Sequence, residues 1–155
     1  MDMENFAQRV ETLRPKLYRT AFCYLGSETA ALDAVDEAVY RGLKSLKKLH
    51  SPEYFDTWMT RILLNECSRE RKRRNRFRPL EEACELSEED FDGLPLREAL
   101  QKLPKELKEV VILRFFSGYT QEETAEALEI PQGTVATRQR RALKFLKLEL
   151  EEGSV

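Results

Sequence analysis

The sequence predicts an all-α protein: two small helical domains joined by an acidic linker. Three observations support this. Charged residues make up 35% of the 155 residues against six glycines and six prolines, few of the breaks that short strands and long loops need. Apolar residues recur at three- and four-residue spacing through most of the chain. The charge is also partitioned. Residues 1–78 hold 16 basic and 11 acidic side chains, residues 79–95 hold seven acidic and no basic ones, and residues 96–155 hold ten of each. The net charge of −2 conceals this asymmetry and by itself points to no polyanionic partner. A chain of this length accommodates one domain or two small ones. The acidic stretch puts the boundaries at 1–76, 77–95 (linker) and 96–150, and each domain is expected to carry its own core.

The first element expected is a helix with Pro15 at its first position and Leu17, Ala21 and Leu25 four apart, ending at Gly26. Ser27 suits the N-cap of a second helix, on which Leu32, Val35, Val39, Leu43 and Leu46 form one stripe. Ser51 and Pro52 repeat that start signal for a third helix. Its apolar face is Phe55, Trp58, Met59, Ile62 and Leu63, after which it turns basic: seven of the ten residues 69–78 are Lys or Arg. Residues 79–95, "PLEEACELSEEDFDGLP", are bounded by prolines and lack an apolar stripe, so they read as the linker, with a short helical turn near 80–86. Helical pattern resumes through Leu96, Leu100, Leu103, Leu107, Val110, Val111 and Ile112 until "SGY" breaks it. Thr120 with Glu123 fits a capping box that opens a short helix to Leu128, and "EIPQG" turns the chain into a last helix with Pro131 at its start.

That last pair has the layout of a helix-turn-helix. Within residues 123–147 the acids Glu123, Glu126 and Glu129 all precede the turn, while Arg138, Arg140, Arg141, Lys144 and Lys147 follow it. Such segregation suits a second helix that faces a polyanion. Ala125 is small where the two helices approach, and Val135, Ala142 and Leu146 share an inward face. Gln132, Thr134, Ala136, Arg138, Gln139, Arg141 and Lys144 are left as candidates for reading base edges and phosphates. A plain helical hairpin with a solvated basic face is the alternative. The basic end of the third helix, attached to a segment with Tyr54, Phe55 and Trp58, suits single-stranded nucleic acid, although Phe55 and Trp58 also fit the apolar stripe.

Other chemistry is poorly provided for. Cys23, Cys67 and Cys84 form no CxxC, their odd number argues against a disulfide framework, and with the single His50 they make no metal-ligand set. There is no glycine-rich phosphate loop and no plausible catalytic set; Glu66 and Glu70 beside the basic helix do not make an RNA-processing site. No cofactor is expected. The N-terminus "MDMENFAQRV" does not read as a signal peptide, and no apolar run approaches the ~20 residues of a membrane span, so a cytoplasmic protein is expected.

Three stretches in order resemble the bacterial sigma factors of the extracytoplasmic-function group, the minimal two-domain branch of the sigma-70 family. "ALDAVDEAVYRGLKSL" resembles the region that docks on the clamp helices of core RNA polymerase. "FDTWMTRILLNECSRERKRR" resembles the promoter-melting, minus-10-reading region. "LPKELKEVVILRFFSGYTQEETAEALEIPQGTVATRQRRALKFLK" resembles the fourth region, which binds the minus-35 element.

The resemblance implies a non-enzymatic promoter-recognition subunit of RNA polymerase whose partners are core polymerase, promoter DNA and an anti-sigma factor, often membrane-anchored. It places Asp33, Asp36 and Glu37 at the polymerase clamp, and Asn65 with loop residues Leu49, His50 and Ser51 at the minus-10 bases. It places Arg69, Arg71, Lys72 and Arg73 along the promoter backbone, and Thr134, Arg138 and Arg141 in the minus-35 major groove. Asp36 stands where the family usually has glutamine, Thr124 where it has isoleucine, and Leu49 where an aromatic is frequent. A stand-alone helix-turn-helix regulator, or a polymerase-binding adaptor without promoter specificity, are the rival readings.

Overall fold

The computed structural model describes residues 1–77 and 94–153, all-helical among those residues. Cys84 and nearly all of the expected linker, with its turn near 80–86, lie outside them.

Helix α1 (Met3–Leu25) starts twelve residues before the position expected from Pro15, which lies inside it. Asp2 caps the true start, its carboxylate accepting from the Asn5 N–H at 2.8 Å. The helix tolerates the missing proline N–H because Phe6, Val10, Leu13 and Leu17 bury one continuous face on both sides of Pro15. Gly26, at φ 73°, ends it in the left-handed conformation. Ser27 caps α2 (Glu28–Lys44) as expected, accepting from the Ala30 N–H.

The buried face of α2 differs from the expected stripe. Ala31, Ala34, Val35 and Ala38 are inside, whereas Leu32 is 54% exposed and Val39, Leu43 and Leu46 are half-buried. The alanines let α2 lie close to its neighbours, most closely at Gly42, where an added Cβ would come within 2.7 Å of Met59 Sδ.

Two single 3₁₀ turns (Leu46–Lys48 and Pro52–Tyr54) lead into α3 (Phe55–Phe77). Ser51 does not cap with its side chain; only its carbonyl is used, by the Tyr54 N–H. Phe55, Met59, Leu63, Leu64 and Cys67 form the buried face of α3, with Trp58 and Ile62 half-buried beside it.

In the second half, Pro104 divides the expected single helix into α4 (Leu94–Lys102) and α5 (Lys105–Val111). A π-turn (Ile112–Phe116) follows, closed by the Ser117 N–H on the Ile112 carbonyl. The capping box forms at the start of α6 (Gln121–Leu128): Glu123 N–H on Thr120 Oγ1 at 3.0 Å, and Thr120 N–H on Glu123 Oε1 at 2.9 Å. Glu129, at φ 57°, turns the chain, and α7 (Gln132–Gly153) begins one residue after Pro131. Val135, Ala142 and Leu146 are buried against α5 and α6, as expected.

The expectation of two separate cores is corrected. The buried apolar residues of both halves form one contiguous cluster, with α1 and α3 packed on the π-turn, α4 and α6. Hydrogen bonds join the halves: Thr20 with Ser117 at 2.5 Å, Thr60 with the Tyr119 hydroxyl at 2.6 Å, Thr57 to Glu126 at 2.5 Å, and Arg61 Nη1 to the Leu128 carbonyl at 2.7 Å. Apolar periodicity specifies which face of each helix is buried; it does not specify which helices share a core.

Candidate nucleic-acid and protein interfaces

The outer face of α2 combines acidic and apolar groups. Asp33, Asp36 and Glu37 are all exposed, with Leu32 and Tyr40 (55% exposed) on the same side of the helix. Each acid has a cation nearby: Arg74 at 3.6 Å from Asp33, Arg14 at 3.5 Å from Asp36, and Arg41 at 3.2 Å from Glu37. These pairs are solvated and hold little energy, so the carboxylates are available for exchange with a partner's cations. Beneath them Glu66, almost buried, ties Arg41 (2.6 Å) to Arg69 and so locks the end of α2 to α3. Burial alone would raise the Glu70 carboxyl, but hydrogen bonds from Arg74 and Arg73 outweigh it and hold the group below its usual range.

Beside this face lies an open, cation-rimmed hollow lined by Lys44, Lys48, Ile62, Asn65 and Arg69. Asn65 is exposed at its edge, an amide offering both a donor and an acceptor beside Lys44 and Lys48, and beside Arg41 and Arg69, which share the Glu66 carboxylate. In the adjoining loop Leu49 packs partly on the core, His50 is exposed and Ser51 is half-buried. Tyr54 is 46% exposed, while Phe55 is wholly buried and so unavailable for stacking on bases. Further along α3, Arg69, Lys72 and Arg73 are exposed. Arg71 is not with them. Its guanidinium points to the second half, donating to Gln101 Oε1 at 2.7 Å and to the Gln101 carbonyl at 3.2 Å.

On α7, Gln132, Arg141 and Lys144 are exposed, and Thr134, Ala136 and Arg138 are half-buried. Gln139 is half-buried as well: it lies about 40° from Val135 on the helical wheel, and its amide oxygen accepts from Arg114 Nε at 3.1 Å. Half-buried Thr137 and exposed Arg140, Arg141 and Lys144 line one shallow groove on the side of α7 away from Val135. Thr137 and Arg140 are not among the residues expected on this surface from the sequence. The signal was available, since both lie roughly opposite Val135 and Ala142 at about 100° per residue. Thr137 donates its hydroxyl proton back to the Gly133 carbonyl at 3.0 Å, so it presents oxygen lone pairs and a methyl group outward. Two guanidinium groups and an ammonium beside it make a surface suited to phosphates and guanine edges.

Between the halves sits a buried cation that the sequence reading did not single out. Lys108 is 2% exposed, its ammonium 4.6 Å from the Tyr24 ring centre and 3.0 Å from Gln101 Oε1, the oxygen that also receives Arg71. Burial, then the charge of Arg71, lowers its pKa to about 7. Burial raises the neighbouring Cys67 thiol far above its ordinary value and the Tyr119 hydroxyl to about 12. Among the described residues no group of His, Cys, Asp or Glu could hold a metal ion, and no helix is long and apolar enough to cross a membrane.

Two family models match the chain: Sigma-70 region 2 over residues 9–77 and Sigma-70, region 4 over residues 93–146. The chain is 33% identical over 138 residues to the RNA polymerase sigma factor SigV of Bacillus subtilis (strain 168), covering 86% of this chain and 83% of that protein. It is 27% identical over 171 residues to the ECF RNA polymerase sigma factor SigW of the same strain, covering 97% and 91%. Among solved structures it resembles CnrH in complex with the cytosolic domain of CnrY, with TM-score 0.76, 25% identity, and 97% of this chain and 90% of that chain covered. It shares the fold of the sigma factor RpoE in complex with the anti-sigma factor NepR from Bartonella quintana, with TM-score 0.74, 23% identity and coverage of 96% and 98%.

Proposed function

This chain belongs to the extracytoplasmic-function group of the sigma-70 family, and on that basis we propose how its surfaces divide the work of a sigma factor. The protein binds core RNA polymerase and directs promoter recognition and DNA melting at transcription initiation. Residues 1–76 form the polymerase-binding and minus-10 domain, residues 96–150 the minus-35 domain, and residues 77–95 the acidic linker between them. Asp33, Asp36 and Glu37, backed by exposed Leu32 and Tyr40, dock on the polymerase clamp. Leu49, His50, Ser51 and Asn65 take unpaired minus-10 bases, and Arg69, Lys72 and Arg73 follow the backbone. In the major groove of the minus-35 element, Gln132, Thr134, Ala136, Arg138, Gln139 and Arg141 face the bases, with Thr137 and Arg140 added from the neighbouring groove, and Lys144 holds phosphate. The protein acts in the cytoplasm and carries out no chemistry of its own. An anti-sigma factor is a further partner; the sigma factor RpoE, whose fold it shares, was solved in complex with one.

The observation that supports this reading best is the capped helix-turn-helix, whose second helix, α7, exposes Arg140, Arg141 and Lys144 along one groove. The test is co-elution with core polymerase followed by selection of promoter fragments by the holoenzyme. Reversing Asp33 and Glu37 together to lysine is expected to abolish co-elution and leave the circular dichroism melt unchanged, since exposed charges contribute little to folding while opposed like charges at an interface are costly. Wild-type co-elution by that variant would move the docking surface elsewhere. Co-elution without fragment selection would favour an adaptor lacking promoter specificity.

A further inference from the structure

We propose that Arg9, on the first helix, is a positioning residue that holds the base-capture loop in its binding shape. The proposal rests on the reading of residues 49–53 as that loop. Its own means of staying ordered are few. It consists of two single 3₁₀ turns around residues 49–51, and the Ser51 side chain makes no capping bond. Within it the Lys48 N–H donates to the Ser45 carbonyl, the Leu49 N–H to the Leu46 carbonyl, the Tyr54 N–H to the Ser51 carbonyl and the Phe55 N–H to the Pro52 carbonyl, while the single Thr57 hydroxyl proton goes to Glu126 at 2.5 Å and not to the loop.

Arg9 supplies a tether from 43 residues away. Nη1 donates to the Pro52 carbonyl at 3.2 Å, Nη2 lies 3.3 Å from Asp56 Oδ1, and the guanidinium sits 4.8 Å from the centre of the Phe55 ring. The Pro52 carbonyl already accepts from the Phe55 N–H, so Arg9 adds a second bond at the hinge between loop and α3. Phe6, one turn earlier on α1, meets the Phe55 ring edge-on at 5.7 Å and keeps α1 in register with this hinge. A planar fork bridging a carbonyl and a carboxylate while lying on an aromatic face is a task for arginine; lysine satisfies one contact at a time. Arg9 itself touches no candidate base-contacting side chain. Its effect is to reduce the ordering cost that the loop would otherwise meet when a base enters.

The experiment uses the full chain in holoenzyme and two probes. One is a fork-junction DNA with a randomised single-stranded minus-10 segment, including a 2-aminopurine version; the other is a duplex fragment carrying only the selected minus-35 sequence. Arg9→Ala is expected to bind the fork about tenfold more weakly, with flattened preference at one or two minus-10 positions and a reduced 2-aminopurine signal. Binding of the minus-35 duplex and co-elution with core polymerase stay at wild-type level. Arg9→Lys falls between the two. Wild-type behaviour of Arg9→Ala on the fork overturns the proposal, and so does an equal loss on fork and duplex, which would mark a purely structural role. If the wild-type holoenzyme shows no preference on the single strand, the reading of the loop itself fails, whatever Arg9 does.

Discussion

Single atoms in this protein carry separable consequences. The Thr124 hydroxyl is buried on α6 with no hydrogen-bond partner among the described residues, at a position where the family resemblance leads one to expect isoleucine. An unpaired buried hydroxyl costs stability that an isosteric methyl does not, so Thr124→Val should raise stability by about 1 kcal/mol, read as a higher midpoint in urea. An unchanged or lower midpoint would mean the hydroxyl is satisfied. On α7 the two glutamine and arginine neighbours part company. Arg140→Ala should weaken binding to the selected minus-35 duplex by about 1–3 kcal/mol and relax preference at one position. Gln139→Leu, which removes the acceptor of Arg114 Nε together with the amide N–H groups, should leave base preference intact and cost about 1 kcal/mol of stability. Selection of bound duplexes by each variant decides between them. Altered preference in Gln139→Leu would show that its amide also reads bases.

For the elements, terminal geometry matters more than helix propensity. Helix α6 has eight residues and survives because both ends are tied: the capping box at Thr120 and Glu123, then the Ile130 N–H on the Ala125 carbonyl at 3.0 Å across Glu129. Glu129 holds the left-handed turn with a full side chain, at φ 57°. Glu129→Gly should therefore stabilise the chain by about 0.5–1 kcal/mol, after the greater freedom of unfolded glycine is subtracted. Its exposed pairing with Arg61 at 3.9 Å is too weak to reverse the sign. A thermal melt checks this; a lower midpoint would mean that the Arg61 contact matters more than the strain.

For the molecule as a whole, the proposed division of labour requires the halves to part: if residues 1–76 take the minus-10 element and residues 96–150 the minus-35 element, the docked form cannot reach both. Elements named minus-10 and minus-35 lie ~25 base pairs apart, or roughly 85 Å at ~3.4 Å per pair. A compact chain of this length has a radius of gyration of about 15 Å. The direct bonds of α3 to Tyr119, Glu126 and Leu128 must break for both elements to be reached. Arg61→Ala should shift free protein toward an open form, seen as lower energy transfer between dyes on α2 and α7; no shift would mean that the remaining bonds suffice.

Docking is also expected to respond to pH through Lys108, which faces Tyr24 and Cys23 on α1, Cys67 and Arg71 on α3, Gln101 on α4 and Glu109 on its own helix. Burial lowers its pKa to about 7, whereas a solvated lysine keeps its proton up to about 10.4. Between those values closing releases a proton, so the closed form gains as pH rises, by at most about tenfold per unit, and this contribution levels off below 7. Lys108→Met should abolish that slope in the same energy-transfer measurement. A slope that survives the substitution would assign it to another group.

The sequence by itself determined whatever is encoded within a turn or two of chain. The caps at Ser27 and at Thr120 with Glu123, the inward line Val135–Ala142–Leu146, the segregation of charge and the three family stretches all depend on neighbours within a few residues. Contacts between distant parts of the chain were decided only in the tertiary structure. Pro15 reads locally as a helix start, yet the burial of Phe6 and Val10 carries α1 through it. Leu32 reads as core, yet the close approach allowed by Ala31, Ala34 and Ala38 turns it to solvent. Gln139 reads as a solvated amide, yet Arg114, 25 residues earlier, donates to its oxygen. The single shared core depends on pairs such as Thr20 with Ser117, 97 residues apart, and the placement of the capture loop on Arg9 with Asp56, 47 apart. Periodicity assigns a buried face to each helix, but the partner of that face is chosen by shape and hydrogen-bond complementarity across the folded molecule.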